Sequence, residues 1–385
     1  IMEFRKIAND MNEYAIAVRR YLHTNPEISK MEYKTQAFIM GELDKLGVPY
    51  IVTDNTGIIA TYGEGSKCFG IRADIDALPI EEDQAVSYCS VNKGVSHACG
   101  HDGHTAILLA TIKAIVDNNY KPDCRLKFIF QPDEEVSGGA KRICEEGVVD
   151  DVDSFFGLHL QPYLLPGHIE YRHGALNATC TAVNITVKGK AGHAAYPQNT
   201  IDSIVVMSNL IVGMQSIISR NLSPLDNAVL TFGTIKGGEV WNQVAEEVEI
   251  RGTLRTFDHN VLNMIKKRLT EICKGFEESY SVTIDLDIID GYIALINGSD
   301  SYILEEMLKE KYNSEILHYK ELPSLGGEDF SYFLEKGNGV FIHLGCNGKE
   351  NYKSLHSKNY DFDESCLVDG VNYYLNCVDW VSKNK

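Results

Sequence analysis

No apolar run in this sequence approaches the roughly 18 consecutive residues of a membrane-spanning helix, so a membrane is not an expected partner. No CxxC pair occurs, and ten cysteines stand singly between Cys68 and Cys377. That scatter argues against a disulfide framework and for free thiols in a reducing cytosol, with one cysteine available as a ligand. Positive charge is scarce: 36 Lys and Arg against 54 Asp and Glu leave a net charge of −18. A chain this acidic repels phosphate backbones and carries no basic stripe, so nucleic acid is not an expected partner either. No apolar stretch follows Arg5 and Lys6, so no secretory signal is expected, and the cytoplasm is the expected compartment. Internal repeats and low-complexity segments are also lacking. What is present, 44% hydrophobic and 23% charged residues, lies in the globular range. At about 150 residues per domain the length implies two or three domains.

Helical patterns at about Met11–Leu22, Met31–Leu46 and Thr105–Val116 alternate with short apolar runs. Those runs are Gly57–Thr61, Cys68–Ile71, Leu126–Phe130 and Phe155–Leu160. The alternation predicts an α/β domain with a mostly parallel sheet and helices on both faces. Ligands bind such sheets at the carboxyl ends of the strands. Near Ala178 the pattern changes. Val183, Ile185 and Val187 alternate with polar residues, and the order onward to Ile289 reads β-α-β-β-α-β, the ferredoxin-like α+β motif. An inserted satellite domain is therefore expected at 178–290, with 1–177 and 291–385 forming the first domain.

Four segments concentrate metal-capable side chains. His97-Ala98-Cys99-Gly100-His101-Asp102-Gly103-His104 precedes a buried helix, and Cys99 and His101, two apart in a glycine turn, can reach one ion. His97 and His104 belong either near that site or on the surface. Phe130-Gln131-Pro132-Asp133-Glu134-Glu135 ends an apolar strand in three acids. Neighbouring side chains there point opposite ways, so one glutamate can bind a metal while the other faces water. His159 lies in an apolar strand and His356 in a loop; each gains meaning from the other segments. Asp74 and Asp76 end a further strand, where an acid commonly orients a ligand histidine. His23, His168, His173, His259, His318 and His343 are read as structural.

Nine motifs in one order resemble a known family: RRYLHTNPE (19–27), GIRADIDALPIEE (70–82), HACGHDGHTA (97–106), FQPDEE with GGA (130–140), GLHLQP (157–162), GKAGHAAYP (189–197), GTLRTF (252–257), LGGEDF (325–330) and LHSKNYDFDE (355–364). They are similar to the aminoacylase-type amidohydrolases of the M20 metallopeptidases, which include hippurate hydrolases, auxin-conjugate hydrolases and N-acetyldiaminopimelate deacetylases. The resemblance implies two divalent ions held by Cys99, His101, Glu135, His159 and His356. It further implies Glu134 as general base, Asp74 as an active-site acid, and His193 as an oxyanion donor reaching across a homodimer. Asn242 and Arg255 match substrate-binding positions. This chain departs from the family pattern at Asp133 and Val136, where relatives carry small residues, and at Asn242-Gln243-Val244-Ala245, where they read Asn-Val-Ile-Pro.

The implied activity is hydrolysis of N-acyl-L-amino acids, with a dipeptidase or carboxypeptidase on the same scaffold as the alternative. A cysteine ligand is too soft for magnesium or calcium and suits zinc, manganese, cobalt or nickel. Asp133, beside the ligands, is an acid that would favour a cationic substrate end if it faced the site.

Overall fold

The computed structural model describes residues 3–384. The chain divides into two compact units, one built from residues up to Gly174, Ile296–Leu322 and Asp329 onward, the other from Ala175–Leu295 and Pro323–Glu328.

The first unit carries a sheet of eight strands: β1 (Tyr50–Thr53), β2 (Gly57–Tyr62), β3 (Cys68–Asp74), β4 (Arg125–Gln131), β5 (Ser154–Gln161), β6 (Ile169–Tyr171), β7 (Leu317–Tyr319) and β8 (Asn338–Gly345). Their spatial order is β1-β2-β4-β3-β5-β8-β6-β7. The central block β4-β3-β5-β8 is parallel. The edge pairs β1–β2, β2–β4 and β8–β6 run antiparallel. Every residue of β3 is buried, which requires cover on both faces and explains its continuous apolar run. The short strands β1, β6 and β7 were not visible in the sequence pattern, because three or four residues carry too little periodicity.

Helices stop and start where the chain chemistry allows. Tyr33–Leu46 ends at Gly47, whose φ of 67° is the left-handed conformation of a helix C-terminus. His101–Asp117 is almost wholly buried, consistent with its lack of a polar face. It packs among Leu22, Leu160, Phe362 and Val371 in the core of the unit.

The second unit is antiparallel, ordered Ala228–Gly237, Glu247–Thr256, Thr181–Lys188, Thr283–Asp290. One sheet face buries Val183, Ile185 and Val187 against Leu210 and Met214 of one helix and Ile265 and Leu269 of another. Asp202 and Asp258 cap these two helices, each accepting two backbone N–H groups of the first turn. By length and composition alone the first of them, Ser203–Asn221, would suit a membrane span, with mean hydropathy 1.3. Its Val206, Met207, Leu210 and Met214 are instead buried on the sheet.

The unit begins at 175 rather than 178, ends at 295 rather than 290, and takes in 323–328 as well. Backbone bonds make that addition. Ala178 N–H donates to Ser324 O (3.0 Å) and Ser324 N–H to Leu176 O (2.8 Å). A tie across some 150 residues leaves no trace in a local pattern.

Because Ile265 is fully buried in the second unit's core, Ile265→Ala is expected to cost about 2–5 kcal/mol. Denaturant unfolding of the full chain should register the loss as a lowered midpoint, and an unchanged midpoint would show that the second unit's core does not limit the stability of the chain.

Candidate metal centre

The parallel strands β3, β4 and β5 deliver their carboxyl ends to one edge, and the chemically distinctive residues lie there. Asp74 ends β3 with Asp76 just beyond, Glu134 and Glu135 follow β4, and His159 sits near the end of β5. Cys99 and His101 arrive at the start of the long buried helix. Gly100 has φ of 87°, and a Cβ there would stand 3.0 Å from the Tyr360 hydroxyl. Glycine is thus what lets Cys99 and His101 turn in together.

The donor atoms fall into overlapping triads. Cys99, His101 and His159 form one, and Cys99, Glu135 and His356 another, each with its ligand atoms within 4.8 Å of one another. Glu134 joins His101 and Glu135 in a third. Cys99 Sγ is 3.4 Å from His159 Nε2, and His356 Nε2 is 3.2 Å from Glu135 Oε1. His356 reaches inward from a loop with φ of 62°, anchored by its N–H to Ala98 O at 2.8 Å. His101 Nε2 is buried without a hydrogen-bond partner. Buried polar atoms are rarely orphaned, and a thiol, imidazoles and a carboxylate are the donor set of a zinc-like ion. The residues fit a divalent metal pair, with Cys99 common to both triads.

Orienting contacts fix which nitrogen faces the site. His101 Nδ1 donates to Asp76, at 2.9 Å from its carbonyl and 3.1 Å from Oδ1. His159 Nδ1 donates to Leu160 O at 2.8 Å. In both rings the lone pair at Nε2 is left for a cation. Asp76 also accepts the N–H of Glu135 (3.0 Å) and the hydroxyl of Ser29 (2.7 Å). It therefore couples two ligands. Asp74 lies 3.5 Å from His101 Nε2, but its shorter bonds go to His104 Nδ1 (2.6 Å) and Arg72 (2.8 Å).

The surroundings set the protons. Burial pushes the Cys99 thiol well above its ordinary pKa, helped by Glu135 and Glu134. For His101 burial opposes the charged ring, yet Asp74, Asp76 and Glu135 outweigh it and raise the pKa to about 10. Burial, reinforced by His104, holds His159 well below its usual value. Protons on His101 and Cys99 stand where a cation would otherwise balance the acids, so metal binding must release them.

Several residues lie apart from this centre or play another part in it. His104 Nε2 accepts the Leu160 N–H at 2.9 Å, so its lone pair is used and it serves to hold Asp74. His97 is buried rather than on the surface, with both nitrogens unpartnered. Asp133 does not face the site. Its φ of 55° turns the carboxylate away, to Arg142 at 2.7 Å, so it cannot select a cationic substrate end. The second unit brings His193 and Asn242 close together, on a ribbon where Gln243 pairs with His193 and Ala194 N–H donates to Asn242 O at 3.1 Å. Arg255 stands on the four-stranded sheet, bonded to Thr253 Oγ1 (3.2 Å) and Thr179 O (3.4 Å). Of the two strand-end acids expected to orient a ligand histidine, Asp76 is the one that does so, through His101 Nδ1; Arg72 and Asp329 were missed as contributors. An arginine inside an otherwise apolar strand was the available signal for Arg72.

Behind the first turn of the helix lies a second buried network. His23 Nδ1 is 2.7 Å from Asp102 and Nε2 2.9 Å from Glu82. Both partners accept, so both ring nitrogens carry hydrogens. Burial alone would lower the His23 pKa, but Asp102 and Glu82 raise it to about 9. A raised pKa contributes stability in full below the ordinary value near 6.5 and loses it as pH climbs through 9. Denaturant unfolding should therefore show a fall of up to about 3 kcal/mol between pH 6 and 10 that is absent from His23→Gln. An identical fall in the variant would remove His23 as its source.

Comparison with known proteins agrees with this geometry. The profile of peptidase family M20/M25/M40 matches residues 70–379. The chain is 35% identical over 383 residues to the N-acetyl-L-cysteine deacetylase of Bacillus subtilis (strain 168), covering 97% of this chain and 91% of that enzyme. It is 38% identical over 371 residues to the N-acetyldiaminopimelate deacetylase of Enterococcus faecalis, covering 93% and 95%. Among solved structures, Bacillus subtilis YXEP protein, a dinuclear metal binding peptidase from the M20 family, matches with TM-score 0.83 and 28% identity over 98% of this chain and 100% of that one. The chain, with a catalytic-type parallel sheet, a ferredoxin-like second unit and a thiol–imidazole–carboxylate centre, belongs to peptidase family M20/M25/M40.

Proposed function

We propose that the protein is a metal-dependent amidohydrolase that cleaves the amide bond of N-acyl-L-amino acids, N-acetyl amino acids foremost, to a carboxylate and a free amino acid. The observation that carries this reading is the convergence of thiol, imidazole and carboxylate donors in overlapping triads, with His101 Nε2 buried and without a hydrogen-bond partner and the buried Glu134 beside them. The substrate class is supported by two relatives named for deacetylating N-acetylcysteine and N-acetyldiaminopimelate. Cys99, His101, Glu135, His159 and His356 would hold two ions of zinc, manganese, cobalt or nickel, the choice following from the thiolate. Such ions supply Lewis acidity and bring the pKa of water from 15.7 to about 7.

The chain's own residues do the rest. Glu134 takes a proton from the attacking water and returns it to the leaving amine. Asp74 holds His104 and, through it, the Leu160 backbone at the end of β5. His193 Nδ1 accepts the Ala195 N–H at 3.1 Å, which leaves Nε2–H as an exposed donor suited to an oxyanion. Asn242 and Arg255 bind the substrate's polar end in this reading.

Chelation should abolish release of amino acid from N-acetyl conjugates, and manganese, zinc, cobalt or nickel should restore it. Glu134→Gln is expected to keep its metal and lose turnover by ~10²–10⁴-fold, whereas Glu135→Gln should lose metal as well. Full turnover in verified metal-free protein, or equal metal loss in both variants, would sink the assignment.

The same reading includes a cytoplasmic homodimer built through the second unit. All ten cysteines are free, in keeping with a reducing compartment. Ile204, Val205, Val212, Val229 and Ile235 are exposed on this unit, and the edge strand Ala228–Gly237 has one unpaired side, a combination that favours association. If His193 serves the neighbouring subunit, mixing inactive His193→Ala with inactive Glu134→Gln should return activity on subunit exchange. Demonstrated exchange without recovered activity would place His193 in its own subunit's chemistry or in none.

A further inference from the structure

Glu134 and Glu135 are adjacent in sequence yet assigned opposite tasks, so the direction of each depends on the backbone that leads into them. That backbone is Asp133, whose φ of 55° is a conformation most side chains resist and aspartate tolerates better than most. Every polar group of Asp133 is engaged. Its N–H donates to Glu32 Oε1 at 3.0 Å. Its carbonyl accepts from Gly138 N (3.2 Å) and Gly139 N (3.1 Å). Its fully buried carboxylate accepts from Ser137 N at 3.3 Å, from the Ser137 hydroxyl, and from Arg142 at 2.7 Å.

Arg142 gathers the rest. Its fork meets Asp54 at 2.7 and 3.0 Å in the turn between β1 and β2. It also donates to Ser137 O at 3.2 Å and Ser137 Oγ at 3.0 Å. Gly139 completes the closure, since a Cβ there would lie 1.9 Å from Pro132 O. The turn is thus tied from behind to a sheet edge and to its own following helix. Nothing in this cluster touches the ligand atoms.

We propose that Asp133 and Arg142 are positioning residues for the hydrolysis: their ion pair, with the Asp133 carboxylate fully buried and Arg142 half-buried, extended to Asp54, locks the left-handed turn that sends Glu134 and Glu135 to their separate places. This rests on the reading of Glu134 as base and Glu135 as ligand. A bidentate guanidinium fork is suited to the task because it fixes angles as well as distance.

The test uses the full-length, metal-loaded protein and four variants: Asp133→Asn, Arg142→Gln, the double variant, and Arg142→Lys. Either single substitution should lower kcat by ~10–100-fold, the scale expected when reacting groups are misplaced by about 1 Å, with KM and metal content little changed. The double variant should be no worse than the poorer single, because the pair acts as one unit. Arg142→Lys, which keeps charge without the fork, should recover part of the loss. In cobalt-substituted protein the visible absorption should shift in the single variants, as the Glu135 arm moves, without loss of the ion. Unchanged kcat with only a lowered Tm would reduce the pair to a fold support, and singles whose effects multiply in the double would show two independent residues. Should Arg142→Gln fail to fold, Arg142→Lys decides the point: a lowered kcat at parental Tm supports the proposal and an unchanged kcat overturns it. A Glu134→Gln variant with parental turnover would defeat the underlying reading instead, so the two failures are distinguishable.

Discussion

A buried arginine holds the centre together. Arg72, 1% exposed in the middle of β3, donates to Asp74 (2.8 Å), Gln131 (2.7 Å) and Asp329 (2.8 Å). A guanidinium taken out of water is tolerated only with its charge and hydrogens satisfied, and removing one partner from such a set typically costs 3–5 kcal/mol. That requirement brings three chain segments to one point. Asp329 passes the constraint onward, accepting from Gln131 Nε2 (2.7 Å) and from Ala140 N–H (3.1 Å) at the start of the helix after the glutamates. Asp74 passes it to His104 and, through its carbonyl, to Thr105 at 3.0 Å. The ends of β3 and β4 and the start of the ligand helix are therefore referenced to one cation.

Around that frame the site is organised by division of labour. The inner side chains keep lone pairs for a metal, and a surrounding set of Asp76, Asp74, His104 and backbone groups engages the remaining ring nitrogens of His101 and His159 and orients Glu135. Asp76 shows the economy of this arrangement, since one carboxylate aims His101 and holds the Glu135 backbone. The electrostatics follow from the same packing. Asp74, Asp76 and Glu135 converge on His101 in a dry interior, and their charge is balanced by a proton there when no cation is bound. Affinity for a metal is consequently linked to pH and to folding. The network of Arg19, His23, Asp102 and Glu82 stands one layer further out and fixes the first turn of the helix from behind.

Much of the fold was legible because it is written locally. Runs such as Phe128-Ile129-Phe130 and the alternation at Val183, Ile185 and Val187 declare strand type by period, and Gly47 declares a helix end. Donor chemistry was legible in the same way: Cys99, His101, Glu135, His159 and His356 stood out by residue type, and the structure brings them together. Less legible were short strands such as Leu317–Tyr319, the entry of Pro323–Glu328 into the second unit, and the service of Asp329 to Arg72 across 257 positions.

Residue type and order by themselves determined the α/β and ferredoxin-like patterns and the supply of soft and hard donors at strand ends, since periodicity and ligand chemistry belong to each residue and its neighbours. Tertiary structure alone decided the assignments within that supply. It chose Asp76 for His101, turned His104 to a backbone N–H, and rotated Asp133 from the site to Arg142. The physical reason is that a side chain at a strand end can take several directions of similar local energy. Only the packing of distant segments, with the demand that every buried charge and hydrogen be partnered, selects one of them.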